Sequence, residues 1–122
     1  MRQVVVADSD KEALEVARPA YDDWYHSITK LWHTHNDHSV DNLFTWDTAI
    51  EHQTLLVGSP ARVREQMVRL LEETDCNYLI CSFAWGTLTG EQALRSLRLF
   101  AHEVMPAFVD GTTREGLMEQ LA

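Results

Sequence analysis

Three histidines lie close together in one polar stretch of this sequence: His33, His35 and His38, with Asp37 just before the last. Imidazole and carboxylate groups are ligands of zinc and related ions, which need three or four such groups converging within an ordered second shell. Residues 33–42 show no apolar periodicity, so we expect a loop. A solvated polar loop explains these residues without any ion, and we predict no metal site.

A second chemical feature is Gly58-Ser59-Pro60, which follows a short apolar run and opens a helical pattern. Free N–H groups at a helix start can hold a phosphate. Ser59 is also a good N-cap and Pro60 a good first helical residue, although proline removes one donor. Capping alone explains this turn, because the chain has neither GxGxxG nor a P-loop. Spacing also indicates no Ser-His-Asp or Cys-His arrangement.

The two cysteines are expected to be reduced. Cys76 and Cys81 lie five positions apart in a segment predicted to be extended, which separates them by roughly 16 Å. A disulfide cannot span that distance. We therefore predict two small, buried, unpaired thiols.

Composition narrows the classes of partner. The 122 residues allow one domain, and 45% hydrophobic with 24% charged residues is typical of a globular protein. The formal net charge of −9 repels nucleic acid and anionic lipid, so we expect neither as a partner. The sequence has no run of 18 or more apolar residues and no N-terminal signal pattern, so we predict a cytoplasmic protein without a membrane segment.

The elements that must position these residues alternate between strand and helix. Short apolar strands are predicted at residues 2–7, 54–57 and 77–86, and the order is β-α-(α)-β-α-β-α. Long helical connections between strands favour parallel pairing with right-handed crossovers. We therefore predict the α/β class, with about three short parallel strands and packed helices.

Capping residues predict where the helices begin. Ser9-x-x-Glu12 and Thr89-x-x-Gln92 are capping boxes, and Ser59 caps the helix between them. Pro19 lies inside the first helical pattern, so we expect a kink or break near Arg18. A short helix is predicted over residues 43–53 with Asp41 or Asn42 as its cap. The last helix should reach Met105, where Pro106 favours a kink or stop.

Residues 77–86 are expected to organise the fold. They form an almost unbroken apolar run of strand length, with an amphipathic pattern before it and another after it. A continuous apolar strand between two helices is typical of a parallel β/α unit. Two positions apart, Phe83 and Trp85 should share one face of this strand.

Several segments, in order, resemble a known family from about Arg2 to Phe108. The chain is similar to the C-terminal portion of the luciferase-like, flavin-dependent monooxygenases. The segments that carry the resemblance are Val4-Val5-Val6-Ala7-Asp8-Ser9-Asp10, Ala17-Arg18-Pro19-Ala20-Tyr21, Val57-Gly58-Ser59-Pro60-Ala61-Arg62-Val63, Asn77-Tyr78-Leu79, Phe83-Ala84-Trp85-Gly86 and residues 96–108.

The resemblance implies a (β/α)₈ barrel that uses reduced FMN or the deazaflavin F420, of which this chain supplies the last strands and helices. Chemistry in such barrels lies at the carboxyl ends of the strands. The implied cofactor-binding residues are therefore Phe83, Trp85, Gly86, Gly58 and Ser59. Phe83 and Trp85 would offer an aromatic wall to the isoalloxazine ring, and Gly86 a close backbone approach; core packing with a turn glycine explains the same residues. The resemblance assigns no catalytic residue.

Two functional hypotheses follow. The first is a luciferase-like flavin-dependent oxidoreductase of which residues 1–109 form the C-terminal α/β segment and 110–122 a tail; we expect this segment alone to be inactive. The second is a non-catalytic, self-associating or small-ligand-binding remnant of that fold. Three short strands leave both sheet edges open, so we expect a homodimer in either case.

Overall fold

The computed structural model describes residues 1–109 and contains three strands and four α-helices within that range. The strands are β1 (Arg2–Val6), β2 (Leu55–Gly58) and β3 (Cys81–Ser82). The helices are α1 (Asp10–Thr34), α2 (Trp46–Glu51), α3 (Pro60–Thr74) and α4 (Gly90–Leu99), and α4 continues as a π-helical turn (Phe100–Val104) and a 3₁₀ turn (Met105–Ala107). The predicted tail at 110–122 lies outside the described residues.

All three strands are parallel and form one open sheet in the order β2-β1-β3. The predicted α/β class with three parallel strands is confirmed. The central strand is β1, whose consecutive valines Val4, Val5 and Val6 are almost fully buried. A β-branched run buried on both faces is typical of a strand covered by helices on each side. Four residue pairs join β1 to β2, from Gln3–Leu55 to Val6–Gly58.

The prediction that residues 77–86 form the organising strand is wrong. Only Cys81–Ser82 pairs with β1, at the edge of the sheet. Two apolar residues before it face solvent, with Tyr78 79% and Ile80 54% exposed, while Leu79 between them packs against the core. Apolar composition alone could not distinguish this edge segment from a central strand, because the difference depends on which neighbour covers it.

A side chain from α4 takes the place of a longer β3. The Ser96 hydroxyl accepts a hydrogen bond of 2.8 Å from the backbone N–H of Val6, and Ser96 is buried. Val6 lies beyond the two residues of β1 that pair with β3. A buried N–H without a partner is costly, so Ser96 allows the strand pairing to end early.

Helix α1 runs without a break through Pro19, so of the predicted kink or break near Arg18 the break is wrong. Its apolar face (Ala13, Ala17, Ala20 and Tyr21) is buried against the sheet. Burial of this face along a 25-residue helix offsets the single backbone hydrogen bond that proline cannot make. Of the predicted capping box, the Ser9 cap is confirmed, because the Ser9 side chain accepts from the N–H of Glu12, whereas the Glu12 side chain pairs with Arg95.

The remaining boundaries follow their caps. Ser59 caps α3 with Pro60 at the first helical position, and Thr89 with Gln92 forms a reciprocal capping box on α4, both as predicted. Helix α2 is shorter than predicted because Thr45, rather than Asp41 or Asn42, caps it. No helix within residues 1–109 combines the length and the apolar character needed to cross a membrane.

The helices cover both faces of the sheet. On one face, α1 packs against Val5, Ala7, Leu55 and Val57; on the other, α3 and the π-helical turn pack against Val4, Val6 and Leu56. In a (β/α)₈ barrel successive strands are neighbours, whereas here β3 lies beside β1. The connection from β1 to β2 and the connection from β2 to β3 run in opposite directions across the sheet, and their helices α1 and α3 lie on opposite faces. This arrangement is typical of a doubly wound open sheet.

Candidate functional site

The carboxyl ends of β1 and β2 meet at one edge of the sheet, which we call the carboxyl edge. It contains Ala7 and Asp8 after β1 and Gly58 and Ser59 after β2, whereas β3 ends opposite Gln3, in the first half of β1, so Phe83 leaves the sheet before this edge. The N–H of Ala7 donates to the carbonyl of Gly58 over 3.2 Å, so the ends of β1 and β2 are in direct contact. Open α/β sheets bind ligands at this edge, next to the point where the strand order reverses.

At Ser59 the structure supports the capping interpretation. The Ser59 N–H donates to Asp10 Oδ1 over 2.8 Å, and the Ser59 hydroxyl accepts from the N–H of Arg62 over 3.4 Å. The hydrogen bonds that Asp10 accepts from the Ser59 backbone and side chain, followed by the charge of Arg62, hold the pKa of Asp10 below its ordinary value of 3.8. A carboxylate therefore already occupies the position where a phosphate would accept from this helix start.

Gly58 lies against the same helix turn. A Cβ atom at this position would come within 2.6 Å of Arg62 Cγ and 3.0 Å of Asp10 Oδ1. The glycine thus lets α1 and α3 begin close together, which is a packing role.

A charged cluster that the sequence analysis did not find lies at the same edge. Arg95, on α4, pairs with Asp8 and with Glu12, the latter over 2.6 Å from Nη1 to Oε1. The pKa of Arg95 is raised, first by its hydrogen bond to Glu12 and then by the charge of Asp8. The position of Asp8 directly after β1 is the one feature of the sequence that points to this cluster. Its partner Arg95 lies 87 residues further along the chain.

Phe83 and Trp85 lie on opposite faces of the sheet, so the predicted shared aromatic wall is wrong for this chain. Phe83 packs against Phe100, with ring centroids 5.2 Å apart, in the core beneath α3. Trp85 packs against Tyr21 in the core beneath α1, at 6.2 Å in an edge-to-face arrangement. The chain leaves the strand after Ser82, so the two-residue period of a strand no longer applies.

Trp85 also contains an unpaired polar group. Its side chain is 9% exposed, and its indole N–H has no hydrogen-bond acceptor among the described residues. A buried donor without a partner costs free energy, which an acceptor from a bound group or another chain would recover.

The close backbone approach predicted at Gly86 is present, but the group that approaches is the chain's own backbone. It adopts a φ of +56°, and an added Cβ would lie 2.0 Å from the Ala20 carbonyl oxygen on α1. The need for glycine here is explained by the packing of the Trp85–Gly86 turn against α1.

The polar stretch after α1 contains a cluster different from the one predicted. His33, His38 and Asp41 bring one ligand atom each to within 4.8 Å of the others, while His35 is outside the group. Asp41 accepts from both rings, at 2.5 Å from His33 Nε2 and 3.0 Å from His38 Nδ1. Asp37 instead accepts from the N–H of Ser39. Sequence spacing could not identify Asp41, because the turn at 35–43 folds it back onto the helix end.

Both cysteines are free thiols, as predicted. Burial raises the pKa of the Cys81 thiol, and both side chains are partly rather than fully buried. A raised pKa disfavours the thiolate, so Cys81 is poorly suited to act as a nucleophile.

Comparison with known proteins gives one curated relative and no family assignment. No protein-family model matches the chain. The chain is 34% identical over 106 residues to a protein of Sinorhizobium fredii (strain NBRC 101917 / NGR234) that bears the name Uncharacterized protein y4wF. The match covers 86% of this chain and 31% of the relative. The chain therefore spans about a third of the length of that relative.

Proposed function

We propose that this chain is the C-terminal β/α part of a luciferase-like, flavin-dependent oxidoreductase that uses FMN or F420. The observation that carries the proposal is the position of the family-like segments. Those around Asp8 and Gly58-Ser59 emerge together at the carboxyl edge, where α/β enzymes bind their ligands.

The size of the relative also supports this proposal. A protein of which 31% corresponds to 106 residues has room for a complete (β/α)₈ barrel, typically about 250 residues. In such an assembly this chain would be a partial barrel unit. β3 would then have to move from β1 to the free edge of β2, and the Gln66 side chain would have to release the N–H and carbonyl of Val57 there.

The described residues do not form a flavin cradle by themselves. Phe83 and Trp85 lie in different cores, and the Ser59 N–H is bound to Asp10. Within the proposal, Phe83, Trp85, Gly86, Gly58 and Ser59 border the flavin only once further strands rearrange this edge. The unpaired indole N–H of Trp85 is a donor that such a rearrangement could satisfy.

Flavin binding tests the proposal. FMN, FMNH₂ under anaerobic conditions, and F420 are titrated separately into this chain and into the full-length Sinorhizobium fredii relative, with binding followed by fluorescence. We expect the relative to bind one of them and to consume oxygen with the reduced flavin, and this chain alone to bind weakly or not at all. If neither protein binds any of the three, the proposal is wrong.

A second candidate is a non-catalytic, self-associating module, favoured by the unequal edges of the sheet. At the β2 edge, the Gln66 side-chain amide accepts from the N–H of Val57 over 3.0 Å and donates to its carbonyl over 3.1 Å. That edge is blocked, whereas the opposite edge presents exposed Tyr78 and Ile80 next to β3. We propose that two copies meet there as a homodimer. Flavin-dependent oxygen consumption by this chain alone would exclude the non-catalytic alternative.

A further inference from the structure

The histidine–aspartate cluster lies where the end of α1 meets the turn that follows it. His33 belongs to the last turn of α1, and His38 and Asp41 lie in the turn at 35–43. The His33 and His38 rings are tilted by 32° with centroids 4.9 Å apart, so both rings face the same small volume beside the carboxylate.

The spacing of the ligand atoms suits one bound ion. Transition-metal ions lie about 2.1 Å from imidazole nitrogen or carboxylate oxygen, which places adjacent ligands about 3.0–3.4 Å apart. The three ligand atoms here lie within 4.8 Å of one another. An ion would take the place of the two ring protons that His33 Nε2 and His38 Nδ1 direct at Asp41, with each ring protonated at its other nitrogen. The 2.5 Å separation of His33 Nε2 and Asp41 Oδ1 would then widen by less than about 1 Å.

The backbone of the turn is already fixed in this conformation. The N–H of Asp37 donates to the carbonyl of Trp32 over 2.8 Å, and the Asp41 N–H donates to the His38 carbonyl over 3.2 Å. The Tyr25 hydroxyl, from α1, donates to the Asp41 carbonyl over 3.2 Å. Val40 is buried beside Asp41 in the sequence and anchors the turn to the protein. A site held in this way loses little chain entropy on binding an ion.

The electrostatic surroundings favour a cation. The carbonyl groups at the C-terminal end of a helix carry partial negative charge, and His33 lies in the last turn of α1. The Asp41 carboxylate lies beside both rings and accepts a hydrogen bond from each of them. Asp37, in the same turn, adds a second negative charge nearby.

We propose that His33, His38 and Asp41 bind one divalent first-row transition-metal ion, which fastens the 35–43 turn to the end of α1. Two nitrogens and one oxygen favour Zn²⁺, Co²⁺, Ni²⁺ or Cu²⁺ over Mg²⁺ and Ca²⁺, which prefer oxygen ligands alone. Three protein ligands leave coordination positions for water or a small anion. The site lies apart from the carboxyl edge and does not depend on a flavin.

Metal titration of the tag-free chain tests this site. Zn²⁺ binding is measured by calorimetry and Co²⁺ binding by visible absorption, each with thermal unfolding in parallel, and with Mg²⁺ as the hard-cation comparison. We expect one Zn²⁺ or Co²⁺ per chain, a rise in Tm on binding, and no effect of Mg²⁺. Variants His33→Gln, His38→Gln and Asp41→Asn should each bind about tenfold or more weakly.

The matched control is His35→Gln, which removes a histidine of the same turn that lies outside the cluster. The His35→Gln variant should bind Zn²⁺ and Co²⁺ with the same affinity as the original chain. All four positions are at the surface or partly exposed, so the variants should fold, and far-UV circular dichroism checks this. Absence of saturable binding, unchanged affinity in the three cluster variants, equal loss in the His35 variant, or a thiolate charge-transfer band with Co²⁺ would each overturn the proposal.

Discussion

At the scale of single residues, two helical side chains have a structural role that their residue types alone do not predict. Ser96 and Gln66 are both on helices, yet each hydrogen-bonds to the backbone of a strand, at Val6 and Val57 respectively. In this way helical side chains complete a sheet whose own strands are short. A buried strand group left without a partner costs about 1–3 kcal/mol, so these residues matter for stability more than for chemistry.

Gly86 provides the sharpest test of residue-level packing. Gly86→Ala should strongly destabilise the protein, by more than about 2 kcal/mol, because the new Cβ would overlap the Ala20 carbonyl and the backbone has a φ of +56°. Chemical denaturation measures the loss. The control is Gly90→Ala, at the first residue of α4, where an added Cβ meets nothing within 4 Å. Similar stability of both variants would contradict the described turn.

Removing the Gln66 side chain tests the blocked edge. Gln66→Ala leaves the N–H and carbonyl of Val57 without their side-chain partner, and we expect a loss of about 1–3 kcal/mol in the free energy of unfolding. The neighbouring exposed Glu65 serves as the control, since Glu65→Ala should change stability by less than about 0.5 kcal/mol. Equal effects of the two substitutions would argue against a role of Gln66 in protecting β2.

At the scale of elements, the starts of α1 and α3 are joined by Asp10. Its carboxylate, in the first turn of α1, accepts from the Ser59 N–H that precedes α3. Both helices therefore begin at the carboxyl edge with a shared hydrogen bond, which fixes their relative position. This hydrogen bond also limits anion binding at the carboxyl edge, because it occupies the Ser59 N–H, which would otherwise be free to bind an anion at the start of α3.

The pH dependence of stability tests this link. Because the pKa of Asp10 is lowered on folding, its contribution is present above its ordinary value of 3.8 and is lost as the pH falls below about 4. Asp10→Asn should reduce stability at pH 7 by less than about 1 kcal/mol, because the group is exposed. The difference from the original chain should shrink as the pH falls from about 4 towards 2. Urea denaturation between about pH 7 and pH 2 measures it, and a difference that stays constant over this range would contradict this assignment.

At the scale of the whole molecule, the two edges of the sheet differ in what they can bind. The Gln66 side chain blocks β2, whereas β3 is short and lies beside exposed apolar side chains. An exposed apolar edge favours pairing with another chain. Under the first candidate function further strands would cover it, and under the second a second copy of this chain would, so both candidates involve the same surface.

Molar mass in solution tests self-association at this edge. We expect a homodimer by multi-angle light scattering, and we expect Ile80→Lys to shift it to a monomer, because a buried lysine at the interface is costly. Leu14→Lys is the control, since Leu14 is comparably exposed but lies on α1. A monomeric original chain, or equal effects of both substitutions, would contradict dimerisation through β3.

The sequence by itself determined the local features of this protein. Caps at Ser9, Ser59 and Thr89 depend on residues within three positions of one another, and each was predicted correctly. The α/β class and the parallel pairing followed from the alternation of apolar runs and amphipathic segments. The free state of both cysteines followed from their spacing.

Only the tertiary structure decided which strand is central, which residues share a face and which ligands converge. Residues 77–86 are apolar enough for a core strand, but only two of them pair with β1, and the Ser96 hydroxyl accepts from the Val6 N–H beyond them. Phe83 and Trp85 separate because the chain leaves the strand after Ser82, and Asp41 replaces His35 beside His33 because of the path of the turn at 35–43. These outcomes depend on contacts between residues distant in the sequence or on the path of a turn, which spacing along an ideal strand or helix does not encode.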